Sequence, residues 1–322
     1  MMSILIVILG LATLITGAKL VLRGLAVAHW FRLTPAFIGL TIVAIGTDLP
    51  EIFVVGVGAI GQAKGMNTSG LVLGEIVGTV LSQATLILGI AGLIGTITLT
   101  KKLLLRDGTM MIISSFLLFF SALDGTISRL DGLALIAVYI LYLFMIAREE
   151  RREARAIPLK NIERIGPLLY LCGGLALLCI ASYVTVTHAL LLSERFHVSQ
   201  ALVGLLLVGL GTSLPELAAT VTAMKKNQGI FVFENLVGSN IFDMLFVVGL
   251  GAVIAKNLTV PASVISFDFP FLIVACILAT LLLRTRMKLS TKEAIALIVI
   301  FVSYFVIRAA FGFAHGISDV LP

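Results

Sequence analysis

Apolar runs of about twenty residues follow one another along this chain, separated by short breaks rich in charge or turn formers. Backbone placed in hydrocarbon has no water to bond, so such runs cross a membrane as helices whose hydrogen bonds are internal. With 59% hydrophobic and 12% charged residues among 322, the chain carries more apolar surface than a soluble domain of that length can bury. The expected fold class is all-α, a polytopic membrane protein. Breaking the sequence at its charge and turn clusters gives ten helices, about 3–28, 36–62, 69–97, 109–124, 131–147, 166–192, 199–224, 230–255, 268–284 and 290–313. The first lacks the basic leader and small-residue cleavage site of a secretory signal and is read as retained.

One connection is long and charged, AREERREARAIPLKNIER, and it divides the chain into 1–148, a loop over 149–164, and 165–322. Five helices per half is an odd number, so the halves enter the membrane in opposite senses, as two inverted five-helix repeats. Placing that loop in the cytoplasm puts 16 of the 23 Lys and Arg inside and four outside (Lys64, Arg129, Arg195, Lys256), with Lys19, Arg23 and Arg308 in spans. The bias predicts a multi-pass membrane protein with both termini outside. The net charge of +6 forms no basic stripe with aromatics, which argues against nucleic acid. Cys172, Cys179 and Cys276 fall in apolar spans without metal-ligand spacing and are read as packing residues.

The halves also match in sequence. GLTIVAIGTDLPE (39–51) and GLLLVGLGTSLPE (204–216) agree at eight of thirteen positions, and GEIVGTVLSQATLILG (74–89) aligns with ENLVGSNIFDMLFVVG (234–249). Inverted copies of a helix pair are the signature of an alternating-access transporter with a central site.

Six of the 17 acidic residues lie in these four spans: Asp48, Glu51, Glu75, Glu216, Glu234 and Asp243. Each is costly at bilayer depth unless paired, protonated or bound to a cation, and the same segments offer no basic residue except the terminal Lys225 and Lys226. Asp48 and Glu51 share a helix face, with Thr47 beside them; Thr212, Ser213 and Glu216 hold the matching places. Glu75, Thr79 and Gln83 form an i, i+4, i+8 line, answered by Asn235, Ser239 and Asp243. Oxygen ligands with almost no nitrogen or sulfur suit a hard cation such as calcium. Pro50 and Pro215 break the helices and free carbonyls near Gly46–Thr47 and Gly211–Thr212. Glu51 and Glu216 together carry the two charges that neutralise a calcium ion.

GTDLPE and GTSLPE, followed by GEIVGT and ENLVGSNIFD, resemble the paired alpha repeats of the cation/calcium exchanger superfamily, particularly its prokaryotic sodium/calcium exchanger branch. The resemblance covers both halves and the central loop, and it implies a location in the plasma membrane of a prokaryote. It implies calcium held by Glu51, Glu216 and the carbonyls of Thr47 and Thr212. It also implies flanking monovalent-ion sites at Thr79, Ser213, Ser239 and Asp243, and first and sixth helices that slide against the rest.

The first repeat departs from the family's pattern: Asp48 stands where a serine is usual, Glu75 where an asparagine is usual, Val80 replaces the asparagine of GSN, and Gln83 sits opposite Asp243. Carboxylates in place of neutral donors favour protons, because a proton relieves repulsion between crowded acids as a cation does. The expectation is a calcium/cation antiporter with H+ as counter-ion, Asp48, Glu75, Gln83, Asn235 and Asp243 tuning the coupling. Sodium exchange by the same fold is the alternative; a cation channel or an intramembrane enzyme using Asp48 and Glu51 is the competitor from another class. No cofactor is expected beyond the transported ions, the bilayer is the expected partner, and a monomer the expected state.

Simpler roles are weighed elsewhere: Glu234 as a helix-start cap or dipole partner no less than an ion ligand, Lys19 and Arg23 snorkelling, Arg308 snorkelling or paired with a carboxylate. The four histidines (His29, His188, His197, His315) are read as interfacial, and Gly39, Gly46, Gly74 and Gly78 as sites of close helix packing.

Overall fold

The structure, a computed structural model, describes residues 2–24, 44–153, 166–196 and 198–315. Among these residues the chain forms ten helical rods: α1 (Met2–Gly24), α2 (Ala44–Thr47 continued by Leu49–Ala63), α3 (Ser69–Ile94), α4 (Lys101–Ser121), α5 (Arg129–Glu153), α6 (Gly166–Phe196), α7 (Gln200–Lys225), α8 (Gly229–Ala255), α9 (Val264–Arg284) and α10 (Thr291–His315). Seven of them, α3 to α9, are long and apolar enough to cross a membrane, and α1 and α2 contribute the shorter apolar helices Ser3–Gly17 and Leu49–Ala63.

Several helices extend past the expected ends, α4, α5 and α9 among them. α4 begins at Lys101 rather than 109, with the Thr100 hydroxyl capping Leu103 N–H at 3.3 Å. α9 begins at Val264 rather than 268, and α5 continues to Glu153, into the charged connection. The first two differences share a cause. Asp107 and Asp268 look like helix breaks in sequence, yet both are buried inside helices because each has a cation and a phenol to meet it. Asp107 pairs with Arg106 Nε at 2.7 Å and accepts from the Tyr142 hydroxyl at 2.7 Å. Asp268 pairs with Arg308 Nε at 2.9 Å and accepts from the Tyr304 hydroxyl at 2.8 Å. The two clusters occupy matching places in the two halves, and they give Arg308 the carboxylate partner anticipated for it.

Packing repeats across the halves. α1 lies along α6, α2 packs on α8 and α3 on α7; α4 faces α9, while α5 covers the end of α8 as α10 covers the end of α3. Glycines set the closest approaches. A Cβ added at Gly74 or Gly78 would strike the backbone carbonyls of Ala201 and Leu205 on α7, and one at Gly249 would lie 2.7 Å from the Gly132 carbonyl. Gly39 lies outside the described residues.

Two antiparallel ribbons, not expected from the sequence, tie the loops. β1 (Ile97–Thr98) pairs with β4 (Lys288–Leu289), and β2 (Thr126–Ser128) with β3 (Asn257–Thr259). Each ribbon requires its two loops to share a membrane face. Six helices separate β1 from β4 and four separate β2 from β3, while one helix, α4, separates β1 from β2, so the ribbons lie on opposite faces.

Cys276 is buried, but Cys172 is on an exposed face of α6, so packing does not account for it. The side chains of Cys179, Arg23 and His315, and all of His29 and His197, fall outside what the structure describes. Lys19 is exposed and His188 half-buried.

Candidate cation site

The proline motifs interrupt their helices for one residue only. Asp48 (φ −82°, ψ 6°) and Ser213 (φ −76°, ψ 0°) take the same sparsely populated conformation, and Pro50 and Pro215 lie in the first turn of the helix that follows. Each proline lacks the N–H that would have bonded the carbonyl four residues back, at Gly46 and Gly211. The ladder closes around the gap, with Asp48 N–H on Ala44 O at 2.9 Å and Ile52 N–H on Asp48 O at 3.1 Å. The turn is thus opened less than a broken helix implies.

That geometry brings the acids of the two copies together. One carboxylate oxygen from each of Asp48, Glu51 and Glu216 lies within 4.8 Å of the others, and all three side chains are fully buried. None of their six oxygens has a hydrogen-bond partner. The arrangement is crossed: Glu51 lies beside Thr212 and Glu216 beside Thr47, while Asp48 lies beside Ser239, Gln83 and Glu216. Three clustered carboxylate oxygens with free lone pairs are the donor set of a divalent hard cation.

The remaining acids extend the cluster. Glu75 Oε1 lies 3.5 Å from the Thr79 hydroxyl and 3.3 Å from that of Thr212. These hydroxyls are 3.3 Å apart, and each also reaches the Gly209 carbonyl, at 3.2 Å and 3.3 Å. Each hydroxyl has one proton, so these acceptors compete for two hydrogens. Asp243 is buried with both oxygens unpaired, within electrostatic reach of Asp48, Glu51, Glu75 and Glu216. Asn235 and Ser239 are buried on the same face of α8. Glu234 is buried in the second turn of α8, whose cap is Gln228, so it does not cap that helix.

Sequence reasoning missed Ser82, whose hydroxyl lies 2.9 Å from both Thr79 O and the Ser213 hydroxyl, with one proton to give to either. Its spacing of seven from Glu75 and three from Thr79 is the signal that could have found it. It also missed the π turns. Ser82–Ile87 in α3 and Asp243–Val247 in α8 are matching turns, and a third, Gly204–Gly209, precedes the α7 motif. Beside Asp243 stands an aromatic wall, with Tyr139 of α5 at 5.3 Å from Phe242 and 5.7 Å from Phe246.

The comparisons agree with this architecture. The family model described as sodium/calcium exchanger protein matches residues 2–148 and 166–310. The inner membrane protein YrbG of Escherichia coli strain K12 is 30% identical over 293 residues, covering 87% of this chain and 88% of its own length. Among solved structures, the sodium-calcium exchanger NCX_Mj, soaked with sodium and strontium, superposes with a TM-score of 0.68 at 25% identity, covering 94% of this chain and 97% of its own. The H+/Ca2+ exchanger CAX shares the fold with a TM-score of 0.78 at 17% identity, covering 97% of this chain and 88% of its own. With both halves matched and a relative similar along nearly its whole length, the chain belongs to the sodium/calcium exchanger protein family.

Proposed function

We propose that this protein is a calcium/cation antiporter that binds Ca2+ as substrate among Asp48, Glu51 and Glu216 and returns protons by alternating access. The observation that carries the reading is the meeting of unpaired carboxylate oxygens from both inverted copies at one buried point. Asp48, expected to tune the coupling, takes a place among the ligands themselves. Carbonyls near Thr47 and Thr212 complete the shell at the interrupted turns.

Charge balance supports protons as the counter-ion. Five acids (Asp48, Glu51, Glu75, Glu216, Asp243) are buried around the site. One Ca2+ neutralises two of them, and protons supply the rest without needing a further coordination shell. Sodium is the second reading, favoured by the neutral oxygen donors Ser82, Ser213, Thr79 and Thr212 gathered on one side. Oxygen donors from two oppositely oriented copies favour an exchanger over an enzyme, which needs one acid pair and a substrate cleft. A channel is separated by flux: exchange saturates and requires a trans counter-ion. The site's side chains take the same form with either terminus outside, and N-out, C-out remains the orientation that the basic loops support.

The test is calcium-45 uptake by proteoliposomes under an imposed proton or sodium gradient. A pH gradient alone is expected to drive uptake, and Glu51→Gln or Glu216→Gln to lower it by more than about a hundredfold, since even outer-shell partners of a metal are worth roughly 10–100-fold. Uptake driven by sodium and indifferent to pH would sink the proton reading and leave the calcium site standing.

A further inference from the structure

The phenols of α5 are placed differently from those of α10. Tyr142 and Tyr304 hold matching positions, and each donates to the buried aspartate of its own half, at 2.7 Å on Asp107 and 2.8 Å on Asp268. One turn earlier the halves part, because α5 has Tyr139 where α10 has Phe301. Both side chains are buried. Phenylalanine fills such a place without a polar atom, whereas a buried phenol costs free energy unless its hydroxyl has a polar group to meet.

What faces the two positions accounts for the difference. Tyr139 lies within electrostatic reach of Asp48 on α2 and Asp243 on α8. Its ring packs at 5.3 Å on Phe242, the residue before Asp243. The places that match those two acids in the other copy hold Ser213 and Gln83. Where carboxylates give way to a hydroxyl and an amide, the phenol gives way to a phenyl ring. On its other side Tyr139 is three residues from Tyr142 and so neighbours it on the helix surface, and the two phenols are within electrostatic reach of each other. Tyr142 in turn meets Asp107, which Arg106 holds through Nε at 2.7 Å and Nη2 at 3.0 Å. Among the described residues, Tyr142 and Arg106 also line a recess of about 410 Å³ between the ends of α4 and α5, on the face that the basic loops assign to the cytoplasm. Groups able to hold a proton thus stand in the order Asp107, Tyr142, Tyr139, Asp243, from that recess to the cation cluster. In the other half the order stops at Tyr304.

We propose that Tyr139 passes protons between Asp107 and Asp243, so that protons reach the cluster along α5, apart from the way calcium takes. The inference rests on the proton reading above. A proton on Asp107 moves to the Tyr142 oxygen as Tyr142 gives its own to Tyr139 and Tyr139 gives its own to Asp243. Three O–H bonds break and three form. Asp107 is left a carboxylate, Asp243 becomes a neutral acid, and each phenol ends with the single proton it began with. The reverse sequence empties Asp243. A phenyl ring at 139 has no oxygen to take or give a proton, so the row is cut there.

The full chain in proteoliposomes is assayed for calcium-45 uptake driven by a pH gradient, and for exchange of calcium-45 against unlabelled calcium at equal pH, which moves no net proton. Tyr139→Phe is expected to lower the first by about a hundredfold, the low end of what a positioned proton-transferring side chain contributes, and to leave the second at the parent's rate. Tyr142→Phe, which leaves Asp107 held by Arg106, is expected to do the same and carries the test if Tyr139→Phe misfolds. Equal loss in both assays overturns the proposal, because it makes the phenols part of the packing or of the calcium site. Uptake driven by pH at the parent's rate in both variants overturns the route and leaves the proton reading standing. A parent that exchanges calcium for calcium but ignores a pH gradient overturns the proton reading and this inference with it.

Discussion

At Glu51 and Glu216 four carboxylate oxygens are buried without a hydrogen-bond partner. An uncompensated ion in such a place costs several kcal/mol, so the fold tolerates it only where a cation or proton is the missing partner. Asp48 adds a third acid where the second copy has Ser213, and this asymmetry makes the coupling testable. Asp48→Ser restores the neutral hydroxyl and removes one charge from the cluster. Calcium uptake is expected to persist, with its rate depending less steeply on external pH, because one fewer carboxylate takes up a proton per cycle. A pH–rate profile with the parent's slope would show that Asp48 carries no coupling. Much of this site was legible at residue scale because the acids recur with matching spacing in two copies. Ser82 was not, since its mate is Phe242, and a residue without a polar counterpart gives no repeat signal. The Gly209 carbonyl, which gathers the Thr79, Thr212 and Ser213 hydroxyls, was also hidden, because a backbone acceptor leaves no trace in side-chain identity.

Among the elements, α3 and α7 decide how closely the two copies approach. α3 lays its small residues against the α7 backbone, where a Cβ at Gly78 would collide with the carbonyl of Leu205, whereas nothing lies within 4 Å of a Cβ at Gly56. Gly78→Ala is therefore expected to cost about 1–3 kcal/mol of stability through overpacking. Gly56→Ala gains the usual helical advantage of Ala over Gly, up to about 1 kcal/mol. Unfolding in detergent would distinguish the two, and equal midpoints would mean that the copies do not touch as tightly as described. The proline interruptions were readable because proline has one backbone meaning inside a helix. The π turns were not, since Ser82–Ile87 and Asp243–Val247 have no composition that separates them from ordinary helix. Charge misplaced the starts of α4 and α9: Lys101 to Asp107 read as loop until Arg106 and Tyr142 were seen to absorb the aspartate.

For the whole molecule, the ribbons turn an inference from charge into a constraint on topology. Because β1 pairs with β4 and β2 with β3, a cysteine at Thr98 or Lys288 is expected to react with an impermeant thiol reagent from one side only. A cysteine at Asp124 or Asn257 is expected to react only from the other side, in a background without Cys172, Cys179 and Cys276. Labelling of both ribbons from the same side would contradict the inverted arrangement. The hydrophobic interior is divided as well. One buried cluster joins α3, α4, α5 and α7 to α10, whereas a separate one gathers Val7, Leu11 and Leu14 of α1 with Leu178, Ala181 and Ala189 of α6. The second cluster also takes in Val54 of α2, Leu71 of α3 and Val208 of α7, so it is the surface along which α1 and α6 can slide while the main core stays packed. Leu11 sits over the α7 motif, its Cγ 3.0 Å from where a Cβ on Gly211 would stand. Cysteines introduced at Leu11 and Gly211 are thus within reach of a disulfide. Oxidation is expected to stop calcium uptake by more than about tenfold and reduction to restore it, while bound calcium still raises the unfolding midpoint of the oxidised protein. Undiminished uptake by the cross-linked protein would mean that access alternates without relative motion of α1 and α7.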